Sequence, residues 1–221
     1  MRKTPKATRP VFTATEDKTK LFESREITFD WVSGMSINNW QRSIENLHQE
    51  YKKGRGIDCS ILEVSTKSTD NLGKLLSAFT LKIPLFSGVK VPLECAYQGS
   101  KVFENGGPYQ DLYFRDPVDA KRDIRLKESG KVIGFKLESE SYPILPFNLF
   151  YDWLYIIGLR NSNVIDEINK YDAFTDIVFN PKKSINTQAR SVAIAKTLYH
   201  RNQFLDIKIN EFESYFNYII I

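Results

Sequence analysis

Apolar residues recur at steps of three and four through Ile37, Trp40, Ile44, Leu47 and Tyr51, the spacing that puts side chains on one face of a helix. Ser36 stands where a cap would, and Gly54 and Gly56 where the helix must stop. His48 lies beside the apolar stripe and is expected to be a partly buried, structural histidine. Upstream, Ile27, Phe29 and Trp31 alternate with polar residues, which predicts an extended segment closed by Ser33-Gly34. Downstream, Ile61 to Ser65 reads as a short strand that delivers Ser65-Thr66-Lys67-Ser68 into a polar loop. A short helix is expected over Leu72 to Phe79, then strand or loop around Gly88.

Pro92 suits the first turn of a helix, and Asn105-Gly106-Gly107-Pro108 would end it and open a turn. Glu94, Gln98 and Lys101 then share one face, and Ala96, Ser100 and Phe103 another. An acid, an amide and a cation in one stripe suit a sugar-phosphate site; an ordinary solvated face has the same spacing. Pro117 opens another expected helix through Arg125, and Ile133, Phe135 and Leu137 alternate as a strand. Asn148 to Leu159 is apolar nearly all round, which predicts a buried helix in which Asp152 needs a partner. Phe174 to Phe179 alternates again and puts Asp176 between Phe174 and Val178. Burial there would raise the pKa of the carboxylate, as a general acid or electrostatic stabiliser requires; capping a nearby backbone N–H is the equal alternative. Pro181 to Ser184 is expected to be a loop, with Ser184 capping a helix through Asn186, Arg190 and Leu198. From Phe204 the chain is aromatic and aliphatic and is expected to pack on the body.

The composition narrows the class. With 221 residues, 42% hydrophobic and 26% charged, the chain is long enough for one globular domain with extensions. No stretch approaches a membrane span, and no apolar segment follows Met1 as in a secretory signal, so a cytoplasmic protein without membrane contact is expected. Two cysteines, Cys59 and Cys95, fit a reducing compartment. They and His48 and His200 are too scattered for a metal site, and no cofactor is expected. The net charge of +4 is mild. Residues 1–21 collect much of the basic excess and are expected to be a flexible tail.

Leu76-Ser77-Ala78-Phe79, followed by Glu94-Cys95-Ala96-Tyr97-Gln98 and Lys101, resembles the LSNF … EHAYQ … K signature of the NADAR superfamily, the YbiA-like N-glycosidase fold. Its members include a riboflavin-pathway N-glycosidase and ADP-ribosyl glycohydrolases. Gly34-Met35-Ser36, Ser65-Thr66-Lys67-Ser68, Phe103 to Tyr109, Phe150 to Tyr155, and Phe179-Asn180-Pro181 through Arg190 resemble the branch of antitoxins found beside guanine-specific DarT-type DNA ADP-ribosyltransferases. The likeness covers residues 22–200, so a tail of residues 1–21 and an apolar extension of 201–221 flank the expected catalytic domain. Two departures stand out. Cys95 replaces the usual histidine, and Ile37 to Arg42 replaces a segment that is usually lysine-rich.

The resemblance implies a single-domain, mainly helical fold with a few short strands. It also implies an enzyme that removes ADP-ribose from guanine in DNA by cleaving the N-glycosidic bond, with a DarT-type toxin as functional partner and physical contact left open. Glu94, Lys67 and Asp176 are the implied catalytic residues. Lys101, Gln98, Tyr97, Gly106, Gly107, Tyr109, Arg125, Trp153, Asn186 and Arg190 are the implied substrate-binding residues. Cleavage passes through a cation-like sugar and the base leaves with a proton, so carboxylates such as Glu94 and Asp176 suit it. A lysine could instead form a Schiff base with the ring-opened sugar; Lys67 is placed ahead of Lys101 for that role. Arg125, Arg190 and the Gly106-Gly107 turn would hold the diphosphate. The alternatives are a silent ADP-ribose or nucleotide-binding module, and an antitoxin that blocks its toxin by contact.

Overall fold

The computed structural model describes residues 5–54, 58–180, 187–209, 211–213 and 215. In chain order the strands are β1 Lys6–Thr13, β2 Glu23–Asp30, β3 Ile61–Glu63, β4 Lys82–Pro84, β5 Lys90–Pro92, β6 Lys101–Phe103, β7 Val132–Leu137, β8 Glu140–Tyr142 and β9 Ala173–Thr175. The helices are α1 Ile37–Lys53, α2 Asn71–Leu75, α3 Leu93–Gly99, α4 Pro117–Arg122, α5 Arg125–Glu128, α6 Leu149–Ser162, α7 Ile165–Ile168 and α8 Gln188–His200, with 3-10 turns at Gln110–Phe114 and Phe204–Asp206. The expectation of a mainly helical fold is overturned. The described residues build three sheets, and the fold is mixed α and β. Several strands are only three residues long, too short for alternation to register against the longer helical periods.

The chain divides into two compact units, Met1–Ser77 with Val164–Phe204, and Ala78–Asn163 with Leu205–Ile221. The first unit carries a four-stranded sheet in the order β2-β1-β9-β3. β1 and β2 pair antiparallel over their full length, and β3 runs parallel to β9. α1 forms as its periodicity predicts. The Ser36 hydroxyl accepts from the Asn39 N–H, Lys52 and Lys53 complement the last turn, and Gly54 closes it. Ile44, Leu47 and Tyr51 pack with Val11, Ile27, Phe29, Ala173 and Ile177 in one core cluster.

Within the flexible tail expected over residues 1–21, residues 6–13 instead form β1, an interior strand with Val11 and Phe12 buried. Its basic residues hid it: Lys6 pairs with Asp30, and Arg9 donates to the Ile177 carbonyl.

The second unit holds the hairpin β4–β5 and the sheet β6-β7-β8. α6 is buried from Leu149 to Leu159, as its all-round apolar sequence requires. Phe150 and Trp153 of this helix form an aromatic core with Tyr142 and Phe212. The helix opened by Pro92 is shorter than its sequence predicts. It stops at Gly99, and residues 101–103 form β6. A side chain at Gly99 would collide with the Tyr113 ring, so this end of the helix is fixed by packing against the following 3-10 turn.

Candidate active site

α3 is an unusual helix because its first amides are capped from a distance. Leu93 N–H donates to the Leu81 carbonyl and Glu94 N–H to that of Ala78. This pins Glu94 in the first turn, where the helix dipole favours a carboxylate. Glu94 is only 4% exposed. Its Oε1 accepts from Gln98 Nε2 at 2.8 Å and meets Lys121 Nζ at 3.3 Å. Gln98 Oε1 in turn accepts from Lys101 Nζ at 2.7 Å. The stripe expected on one helix therefore exists, although its last member sits on β6.

Lys101 is held over the Tyr97 ring at 4.7 Å, and Lys121 over Phe79 at 5.1 Å. Tyr97 is itself packed among Phe135, Phe150 and Tyr151. Burial pushes the Lys101 ammonium down to about 8, with Lys121 adding to the effect and Glu94 opposing it. Lys101 can therefore supply an unprotonated amine near neutral pH, the form needed for addition to a carbonyl carbon. The Gly106-Gly107 turn lies against this residue, because a Cβ on Gly107 would strike the Lys101 carbonyl oxygen, and its φ of +77° also favours glycine.

The other expected binding residues of this unit divide. Arg125 stacks on the Tyr109 ring at 4.4 Å and is tied to Asp111 at 2.7 Å and Asp123 at 2.8 Å. Those carboxylates hold the guanidinium above its usual range. Tyr109 hydroxyl bonds to Ser129 at 2.5 Å. Trp153 is wholly buried.

In the first unit, Asp176 lies just past β9, not within a strand. Burial raises its pKa, and its Oδ1 accepts from the N–H groups of Val178 and Phe179 while Oδ2 accepts from Thr187 and Gln188. A raised pKa and the capping of backbone N–H groups thus occur together in this carboxylate. Glu63, missed by sequence reasoning, is its electrostatic partner, and burial together with Asp176 raises its pKa. Glu63 accepts from Ser65 Oγ at 2.6 Å, Thr175 Oγ1 at 2.7 Å and Ile177 N–H at 2.9 Å. His48 meets the same Thr175 hydroxyl at 2.8 Å, and burial lowers its pKa to about 4. Lys67 is half-buried in the loop after β3, and its backbone N–H donates to Ser65 Oγ. Arg190 is buried on α8. Asn186 and Ser184 lie outside the described residues.

A family model for the DarT1-associated NADAR antitoxin matches residues 7–220. The chain belongs to this family. No curated protein matches it. Among the described residues no helix is long and apolar enough to cross a membrane, and no cluster of histidine, cysteine and carboxylate side chains could hold a metal ion. Within this NADAR antitoxin, Glu94, Gln98, Tyr97 and Lys101 are brought together on α3 and β6. Lys121, unforeseen as a partner of Glu94, stands 27 positions away on α4 (121 minus 94), where no local period could link the two.

Proposed function

We propose that this NADAR antitoxin is a DNA ADP-ribosyl glycohydrolase, which releases ADP-ribose from guanine and so reverses the action of a DarT-type toxin in the cytoplasm. The observation that carries the reading is the continuous chain Lys121–Glu94–Gln98–Lys101, with a half-buried lysine at one end whose pKa is lowered to about 8. Family membership supports the antitoxin role, and the side chains support the chemistry.

Lys101, ahead of Lys67, is the proposed nucleophile. Its free amine attacks the anomeric carbon as the bond from that carbon to guanine nitrogen breaks. The proton lost from the lysine nitrogen balances the proton the departing base takes up. Ring opening yields a Schiff base, and water then releases ADP-ribose and restores the amine. The Glu94 carboxylate stabilises the cation-like sugar and mediates the proton transfer. Asp176, with both oxygens engaged by four donors, is assigned to positioning the chain after β9.

The test is incubation with guanine-ADP-ribosylated DNA, followed by chromatography for free ADP-ribose. Release with turnover separates this reading from a silent binding module and from a toxin-blocking protein. Absence of release by the folded protein would end it.

A further inference from the structure

Two neighbours of different kind grip the Lys101 nitrogen, and they follow each other on α3. Gln98 Oε1 accepts from Lys101 Nζ at 2.7 Å, and the centre of the Tyr97 ring lies 4.7 Å from the same nitrogen. Among the described residues Lys101 Nζ hydrogen-bonds to Gln98 alone.

Neither neighbour can exchange its role. Gln98 is 6% exposed, so little water reaches its amide. Its Nε2 donates to Glu94 Oε1 at 2.8 Å. A carboxylate only accepts and an ammonium only donates, so both partners demand the same orientation of the amide. Turning it over would set N–H against N–H and oxygen against oxygen. The Tyr97 ring is fixed by Tyr151, edge to face at 5.1 Å, and by Phe135 at 5.6 Å. The face of an aromatic ring carries the negative part of its quadrupole, so it attracts an N–H and repels a lone pair.

A neutral amine keeps two N–H groups and one lone pair around its bond to Cε. The Gln98 oxygen takes one N–H, because a lone pair there would face the oxygen's own. The ring face takes the other. The lone pair is left in the one remaining tetrahedral direction, toward neither neighbour. A lysine free in water spreads that pair over every direction, whereas attack on a bound carbon needs it in one. We infer that Gln98 and Tyr97 are positioning residues, which take the two N–H groups of the neutral Lys101 amine and hold its lone pair in one direction for attack on the sugar. The inference rests on the glycohydrolase reading and deepens it. Two residues that the family resemblance implies for substrate binding act instead through the nucleophile.

The test compares Tyr97→Leu, Gln98→Met and Tyr97→Phe in the full chain. Circular dichroism and a thermal melt check each fold, and either of the first two decides if the other does not fold. Trace acetylation with acetic anhydride across the titration of the amine, read at Lys101 by peptide mass spectrometry, gives its pKa without any turnover. Steady-state release of ADP-ribose from a guanine-ADP-ribosylated oligonucleotide gives kcat and KM. Ring and carbonyl both favour the ammonium, so in Tyr97→Leu and Gln98→Met the pKa should fall by about half a pH unit. More amine is then free at neutral pH. Even so, kcat should fall by about ten- to a hundredfold, with KM within about twofold of the parent. Tyr97→Phe keeps the ring face and should recover most of the kcat that Tyr97→Leu loses. A raised KM with kcat kept would make the two residues substrate contacts and overturn the inference. So would a pKa that stays at the parental value in both variants, or a Tyr97→Phe that loses as much kcat as Tyr97→Leu. A parent that releases no ADP-ribose, with the pKa values in the expected order, would overturn the glycohydrolase reading and still show the grip on the amine.

Discussion

Two buried acidic clusters invite comparison. Glu94 on α3 is satisfied by side chains alone, a carboxamide and a lysine whose own side chain is 55% exposed. Glu63 and Asp176 are satisfied largely by backbone N–H groups and hydroxyls, with Gln188 the one longer side chain. The first set of partners are side chains, which can change rotamer without moving the backbone. The second is part of the chain's own path, and releasing it means undoing β9 and the segment after it. Burial raises the pKa of Glu63 and Asp176, yet a perturbed carboxylate is no better placed for chemistry if both of its oxygens are already held by the fold. What distinguishes the two clusters is the kind of partner each carboxylate has, as much as its burial.

The largest expected effect is at the lysine end of the first cluster. Lys101→Arg keeps the charge but removes the nucleophile, and release of ADP-ribose should fall by about 10⁴ or more. Borohydride added during turnover should attach ADP-ribose to the parent protein, and peptide mapping should find it on Lys101. Trapping on Lys67, or normal turnover in Lys101→Arg, would return the role to the loop after β3. Since the reactive amine must be neutral, the rate should climb with pH up to about 8 and then level off.

Next comes Glu94→Gln, which keeps the hydrogen bond to the chain while removing the charge. Release should drop by about 10²–10⁴ with the fold intact. A folded variant with parental turnover would remove Glu94 from the mechanism and make its cluster as structural as the other.

The second cluster should answer in stability, not in rate. Glu63→Ala strands the donors of Ser65, Thr175 and Ile177 in the core, at a cost of about 3 kcal/mol or more, read by urea denaturation. Glu63→Gln imitates the protonated acid that the raised pKa favours, so it should lose no more than about 1 kcal/mol. Equal losses in the two variants would show that charge, and not the acceptor, is what the site needs.

What could be read from the sequence follows the range of the interactions. α1, α6 and the extended segment at 23–30 rest on local periods and emerged near their observed bounds. Glu94, Gln98 and Lys101 were legible as a stripe because α3 and β6 are adjacent, even though Lys101 left the helix. β1 was not, because its pairing partner lies across a turn and its lysine and arginine imitate a solvated tail. β9 pairs with β3, whose residues lie more than a hundred positions earlier, and Asp176 meets Glu63 only through that pairing. The sheet content was underestimated for the same reason. Three-residue strands carry no period of their own, whether the partner is distant, as for β3 and β9, or close, as in the hairpin β4–β5.

The smallest effect expected distinguishes the two neighbours of Lys101. Glu94 raises its pKa and Lys121 lowers it, by charge alone. Removing Lys121 therefore makes the ammonium easier to keep. In Lys121→Gln the ascending limb of the pH–rate profile should move upward, so that at neutral pH less amine is free and the rate falls. Because the Lys121 side chain is 55% exposed, solvent screens it, and the displacement should be a fraction of a pH unit. The same screening makes a second measurement decisive. Raising the salt should move the parent's limb toward that of the variant while moving the variant much less, since Glu94, present in both, is buried from the salt and only the parent has an exposed cation there. If the variant's limb moved down instead, or if both limbs responded equally to salt, Lys121 would not act on Lys101 through its charge, and its link to Glu94 would be positional only.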